Sequence, residues 1–376
     1  MKKLAGITAV IIIFLIFNIR AYAVNTDGYL KDGLEASGIY ELTEYLNGET
    51  LDYLEKLGLE EIEYEKLLSV SPQSVFELLT GILKGKLAQP FKTVMKCLAT
   101  VILAGVCTSF AGQDEKTKGV LNTVCASFTV ISIFSSGYVS VSAGASAIGS
   151  CAAFEKALIP VLAGVVTASG NPTLAFSVQG TAFVAAQAIE ALASNIILPL
   201  SAVTGALGII GAISPSVNLG AVAELIKKTS TTVIGGASGL FTGFLAMKSV
   251  VAGSADRVAS RGIRLAAGTF IPVVGSALGE AYSSVMSSLS LVKNIVGVYA
   301  IIAFFIICIP VITELFLWNA AMKTCSAFSD LLGTDSFSKI FKSAGYVFSM
   351  VNVLLVFSAV VFIVTTGIVI TVRAGA

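Results

Sequence analysis

Long apolar runs, rather than strict alternation or one amphipathic stripe, organise this chain. They fall at roughly 94–111, 120–143, 157–169, 173–193, 195–213, 229–252, 268–291, 294–318 and 345–372. A helix needs about 20 apolar residues to cross a hydrocarbon core about 30 Å thick, so the longer runs predict membrane spans. Several are short or rich in Gly, Ala and Ser. The expectation is therefore about seven spans, with some segments broken or re-entrant. The predicted fold class is all-α, a polytopic helical membrane bundle. "GNPT" at Gly170–Thr173 reads as a turn joining two half-length helices. "AFSDLLGTDSFSKIFKS", Ala327 to Ser343, reads as a mixed amphipathic connection.

Upstream of these runs the pattern changes. "MKKLAGITAVIIIFLIFNIRAYAVN" has a basic start, a short apolar core and Ala21-Tyr22-Ala23, the form of a secretory signal peptide. Residues 1–23 are predicted to be that peptide, cut after Ala23, with a retained anchor as the alternative. Residues 24–90 are expected to form an acidic, amphipathic-helical extracytoplasmic region, and 91–376 the polytopic transmembrane domain. Ile39, Leu42 and Leu46 recur at helical spacing. In "SPQSVFELLTGILKGKL", Ser71 can cap a helix with Pro72 at its first position. Val75, Leu78, Leu79, Ile82 and Leu83 share one face, and Lys84, Lys86, Lys92 and Lys96 follow. That arrangement predicts a helix lying on the membrane surface.

Composition supports the membrane reading. The chain is 55% hydrophobic and 12% charged, against roughly 25% charged in soluble domains. Thirteen of the 23 acids lie between Asp27 and Glu77, against three lysines between Lys31 and Lys66. A net charge of +1 supplies no basic field for nucleic acid.

Little chemistry is on offer. There are no histidines, which removes Ser-His and Cys-His nucleophiles and His-ligated metals. The six cysteines show no CxxC spacing and read as small membrane-core residues. "GILKGKL" at Gly81 lacks both the spacing and the hydroxyl of a phosphate-binding loop. Every aspartate lies outside the apolar runs or at their ends. The expectation is a protein that is not an enzyme, with no catalytic residue, cofactor or metal. The basic clusters fit no single topology under the positive-inside rule.

The candidate functional positions are small or ionisable residues in apolar surroundings. Gly235, Gly239 and Gly243 in "IGGASGLFTGF" form a tandem GxxxG, which serves packing within the bundle, oligomerisation or a lining role. Glu190, Glu224, Glu280 and Glu314 lie in or beside apolar runs, where ionisable groups default to a functional hypothesis. Glu190 and Glu280 have no basic residue within a turn or two. In "SADRVASRGIRLAAGTFIPVVGSALGEAYSS", Arg257, Arg261 and Arg264 share one helix face, suited to anionic headgroups or an acidic partner. Pro272 then kinks the helix. Gly275, Gly279, Ser283 and Ser287 recur at every fourth position, with Glu280 one step along. Such a polar stripe should face protein or water rather than lipid.

"RLAAGTFIPVVGSALGEAYSSV" followed by "LVKNIVGVYAII" resembles the signature of the stage III sporulation protein AE family of endospore-forming bacteria. The resemblance covers essentially the whole chain, and Phe270–Gly275 is its most specific piece. It implies a place in the mother-cell membrane surrounding the forespore, within a channel or secretion-like complex needed for spore development and late forespore gene expression. The implied partners are the other stage III A operon membrane proteins, including a separate ATPase subunit, and forespore stage II protein Q. Apart from the resemblance, the arginine face offers membrane lipid and the GxxxG repeat a homo-oligomer as candidate partners, and the charge balance offers no nucleic acid. The resulting expectation is a non-catalytic, permease-like or export-gate-like component. A stand-alone secondary transporter with inverted repeats and a membrane scaffold for assembly are the rivals.

Overall fold

The structure is a computed structural model that describes residues 27–59, 62, 66–67, 70–110, 114–170, 172–213, 221–237, 239–241, 243 and 275–371. The expected signal peptide, residues 1–23, lies outside the described residues. Those described contain helices and turns with no strand.

Three short elements come first: α1 (Asp27–Ser37), a 3-10 turn (Ile39–Tyr45) and α2 (Gly48–Lys56). Gly38 links the first two with φ +74°, a left-handed conformation that suits glycine. Asn47 caps α2, its side-chain oxygen accepting from the Thr50 N–H at 2.8 Å.

The next helix, α3 (Pro72–Phe110), starts where the sequence places it. Ser71 Oγ accepts from the Ser74 N–H at 3.0 Å, and Pro72 is the first helical residue. The expected surface helix and the run at 94–111 are one continuous element, which crosses residue 90. Leu78, Ile82, Pro90, Thr93, Cys97, Val101 and Ala104 are buried along it. These spacings of three, four or two turns keep one stripe facing the bundle through the lysine-rich stretch, so packing does not stop where the charges begin.

The same fusion recurs. Helix α4 (Glu115–Ala168) absorbs the runs at 120–143 and 157–169. Helix α5 (Pro172–Leu192) passes through a π turn (Ala193–Ile197) directly into α6 (Leu198–Ile213). Residues 221–237 form α7. Helix α8 (Gly275–Leu331) carries the described part of the run at 268–291 and the run at 294–318, and α9 (Asp335–Thr371) ends the described chain. The turn around Gly170 is present, with φ +80°, but α4 beside it is 54 residues long rather than half-length. The stretch from Ala327 to Ser343 is not a separate connection. It is the end of α8, a tight turn with Gly333 at φ +68°, and the start of α9.

Among the described residues, five helical stretches are long and apolar enough to cross a membrane: Pro72–Phe110, Glu115–Ala168, Val184–Ala212, Ser287–Leu331 and Asp335–Gly367. The expected runs at 229–252 and 268–291 lie partly outside the described residues. At 1.5 Å per residue α4 extends about 80 Å, well beyond a hydrocarbon core of about 30 Å. A helix of that length, if it crosses the bilayer upright, extends beyond it.

Helices α8 and α9 are the centre of the bundle. Their most apolar windows are 67% and 61% buried, against 28–33% for the other three. The outer helices turn Leu103, Phe110, Phe128, Ile131 and Val139 outward, as lipid contact favours. Glycines mark the crossings: side chains of Val351 and Leu315 occupy the space a Cβ on Gly144 would need, and Ile370 does so at Gly297. Small residues there let helix backbones approach closely. Phe304 and Phe362 stack between α8 and α9 with ring centroids 3.9 Å apart.

The acidic N-terminal region shares this core. Leu34, Ile39, Leu42 and Leu54 belong to the same buried cluster as Leu158, Leu162, Val292 and Val296 of α4 and α8.

Candidate functional site

Among the described residues, two partly buried groups of ionisable side chains bridge the helices, beside an exposed Lys342–Asp330 pair between α9 and α8. In the first, Lys86 of α3 sits between two carboxylates. Its Nζ lies 3.3 Å from Glu314 Oε2 of α8 and 3.5 Å from Glu49 Oε1 of α2. The Ser140 hydroxyl of α4 donates to the other Glu314 oxygen. Four elements thus meet at one polar node. Its inner end is shielded, with the Glu314 side chain 17% exposed, while Glu49 is 53% exposed. A carboxylate placed between α8 and its neighbours persists when paired and hydrogen-bonded, and both conditions hold here. At the outer end the Tyr53 hydroxyl donates to Glu49 at 3.2 Å. Burial, then the neighbouring Glu49 charge and this hydrogen bond, push the Tyr53 phenol up to about 12.

In the second group, Lys156 Nζ of α4 meets Glu190 Oε2 of α5 at 2.7 Å. Glu190 therefore has a cationic partner. It is absent from the local sequence because it comes from another helix, 34 residues away. Lys156 also borders an open cleft of about 610 Å³ between α4 and the 3-10 turn, where Glu41, Leu42, Tyr45 and Pro160 line the walls.

The other candidate positions divide by place. Arg257, Arg261, Arg264 and Pro272 lie outside the described residues. Gly275, Gly279, Glu280 and Ser283 fall in the first turns of α8, where the backbone is helical, and their side chains lie outside the described residues. Ser287, further along the same helix, is exposed. Gly235, Gly239 and Gly243 would each accept a Cβ with no described atom of this chain within 4 Å. Their tandem GxxxG therefore makes no close crossing within the described chain. The close glycine crossings lie elsewhere, at Gly137, Gly144, Gly205, Gly208 and Gly297.

Some members of these groups escaped the sequence. Lys86 reads there as one of several surface lysines. Glu155 and Lys156 fall in the gap between two apolar runs, whereas the structure puts them inside α4. The available signal was the lack of a Gly-Pro or Asn-Gly break between Asp114 and Gly170. Five of the six cysteines are buried, and the Sγ atoms of Cys151 (α4) and Cys308 (α8) lie 3.2 Å apart. Among the described residues no group of three His, Cys, Asp or Glu side chains could hold a metal ion. What the arrangement offers is ion pairing and hydrogen bonding between helices.

Comparison with known proteins gives this architecture a family. The family model for stage III sporulation protein AE matches residues 59–374. Stage III sporulation protein AE of Bacillus subtilis (strain 168) is 25% identical over 265 residues, 68% of this chain. The alignment spans 66% of that relative's length. No solved structure matches the chain. The family match takes in all five membrane-capable stretches and every helix of the two ion-paired groups except α2, which carries Glu49, and the chain belongs to the stage III sporulation protein AE family.

Proposed function

We propose that this multi-pass sporulation membrane protein is a non-catalytic, permease-like or export-gate-like subunit of a complex joining mother cell and forespore. The observation that carries the reading is the node of Glu49, Lys86, Glu314 and Ser140. Ionisable groups within an apolar bundle are costly and mark pathways or moving interfaces. This node ties the acidic N-terminal region to three of the long helices, so a partner docked on that region could shift the bundle through it. The protein would sit in the mother-cell membrane surrounding the forespore. Its partners would be the other stage III A operon membrane proteins, a separate ATPase subunit and, through the complex, forespore stage II protein Q.

The test is a charge exchange in the native organism. Lys86→Glu sets a third carboxylate between Glu49 and Glu314, and should abolish late forespore gene expression while the protein still accumulates in the membrane. Adding Glu314→Lys restores an opposite-charge pair and should recover spore formation. Normal sporulation of the single variant, or no recovery in the double variant when both proteins accumulate, would count against the reading.

A further inference from the structure

A carboxyl that neither ion-paired group uses lies one residue from Lys156. Glu155 is 3% exposed, and its Oε1 has no hydrogen-bond partner among the described residues. It lines a small cavity between α4, α5 and α9, together with Leu162, Ala175, Phe362, Thr365 and Thr366. The space is about 30 Å³, enough for one or two waters by the usual requirement of about 10–15 Å³ each.

Among the described residues, the surroundings offer the carboxyl no countercharge. On α4 the nearest titratable groups are the Cys151 thiol, one turn earlier, and Lys156, which is engaged by Glu190. Helix α8 brings the Cys308 thiol opposite Cys151, and carries Lys293 nearer its N-terminus, towards the level at which Ser169, just past the end of α4, meets Leu289. The residues that line the cavity from α5 and α9 are Ala175, Phe362, Thr365, Thr366 and Val369, none of which carries a charge. The Thr365 hydroxyl is already donated to Val361 O at 2.8 Å. An isolated carboxylate in such a place is strongly disfavoured and takes up a proton instead. A bare metal cation is a poor alternative, because hard cations collect about six or more oxygen ligands and this cavity presents mainly hydrocarbon.

We propose that Glu155 is a proton-binding site inside the bundle, neutral at rest, which releases its proton when α4, α5 and α9 separate enough to admit water. The step is simple acid–base exchange: the carboxyl O–H bond breaks, its electron pair stays on the carboxylate, and the proton passes to water. On the reading of the bundle as a gated pathway, this makes the state of the helices sensitive to protons. Glu155 shares α4 with Ser140 of the polar node and adjoins the Lys156–Glu190 bridge, so its ionisation would act where the helices are already held by charge.

A hydrophobic carbodiimide, which reacts with protonated carboxyls in apolar surroundings, tests the site in the full-length protein in membrane vesicles. Peptide mass spectrometry should find Glu155 labelled at neutral pH while the exposed Glu41 and Glu49 are not. Labelling should slow several-fold in alkaline buffer and stay unchanged when sodium replaces choline at constant ionic strength. Protection by sodium would overturn the proposal in favour of a metal-cation site. Absence of label in the folded protein, with label appearing only in SDS, would overturn it outright.

Glu155→Gln gives the functional arm, since the amide copies the neutral acid in shape but cannot release a proton. It should accumulate and melt like the wild type, yet lower spore yield at least tenfold, while Glu155→Asp retains more activity. Wild-type spore yield in Glu155→Gln would refute proton exchange. The labelling result is independent of the Lys86–Glu314 charge exchange, so failure of one does not decide the other.

Discussion

Gly137→Ala and Gly149→Ala lie on the same helix, α4, and should move stability in opposite directions. A Cβ on Gly137 would stand 2.6 Å from Phe348 Cζ and 3.3 Å from its Cε1. Ordinary contact begins near 3.4 Å, so the ring would have to retreat by almost 1 Å. It has little room to do so. Phe348 is 3% exposed, and its ring stacks on Trp318 with centroids 5.1 Å apart and planes at 15°. Trp318 is itself fully buried, so the displacement passes into the core. Overpacking of this kind costs about 1–3 kcal/mol, and Gly to Ala in a helix interior returns about 0.8–1 kcal/mol. The net expectation is destabilisation of up to about 2 kcal/mol. At Gly149 nothing lies within 4 Å of the added carbon, and only the helix gain of up to about 1 kcal/mol remains. The chain has one tryptophan, and it is the residue stacked on Phe348, so its emission reports on this contact directly. Unfolding of the detergent-solubilised protein, followed by that emission, should show Gly137→Ala melting first, with a shifted native spectrum, and Gly149→Ala melting no earlier than wild type. Equal stability of the two variants, with unchanged Trp318 emission, would refute the packing argument.

Two further outcomes test other contacts. Cys151 and Cys308 have Sγ atoms 3.2 Å apart, and a disulfide needs about 2.05 Å. A membrane-permeant two-electron oxidant should therefore join α4 to α8, the two thiols giving up two electrons and two protons. After cleavage at a protease site engineered between the helices, the fragments should stay together on a non-reducing gel and separate in Cys151→Ser. Fragments that separate in the oxidised wild type would contradict the helix pairing. Tyr53 tests the outer end of the polar node: its phenol is pushed up to about 12 by burial first and then by Glu49, from an unfolded value of about 10. Because the folded value is raised, its contribution to stability is complete below about pH 10 and disappears as pH climbs through about 12. An ultraviolet titration, taken as the difference between wild type and Tyr53→Phe, should show a lower midpoint once Glu49→Gln is introduced. An unmoved midpoint would mean that Glu49 does not act on this phenol.

The all-helical membrane architecture could be read in the sequence because transfer to hydrocarbon is largely a sum over local residues. Ser71 and Pro72 start a helix, Gly170 turns the chain, and most cysteines are buried, all for reasons contained in a few neighbouring residues. Where one helix stops was less legible. Small and charged residues between apolar runs look like boundaries in a hydropathy trace, yet Lys84–Lys96 and Glu155–Lys156 stay helical because one stripe of each helix continues to pack. Tertiary structure alone decided the partners. Lys156 and Glu190 are 34 residues apart, and Ser140 and Glu314 are 174 apart. Two charges become a pair, and an isolated carboxyl such as Glu155 becomes an uncompensated one, only when helix packing fixes what stands opposite. Local composition determined that these segments leave water. The crossings of α3, α4, α5, α8 and α9 determined which polar groups leave it accompanied.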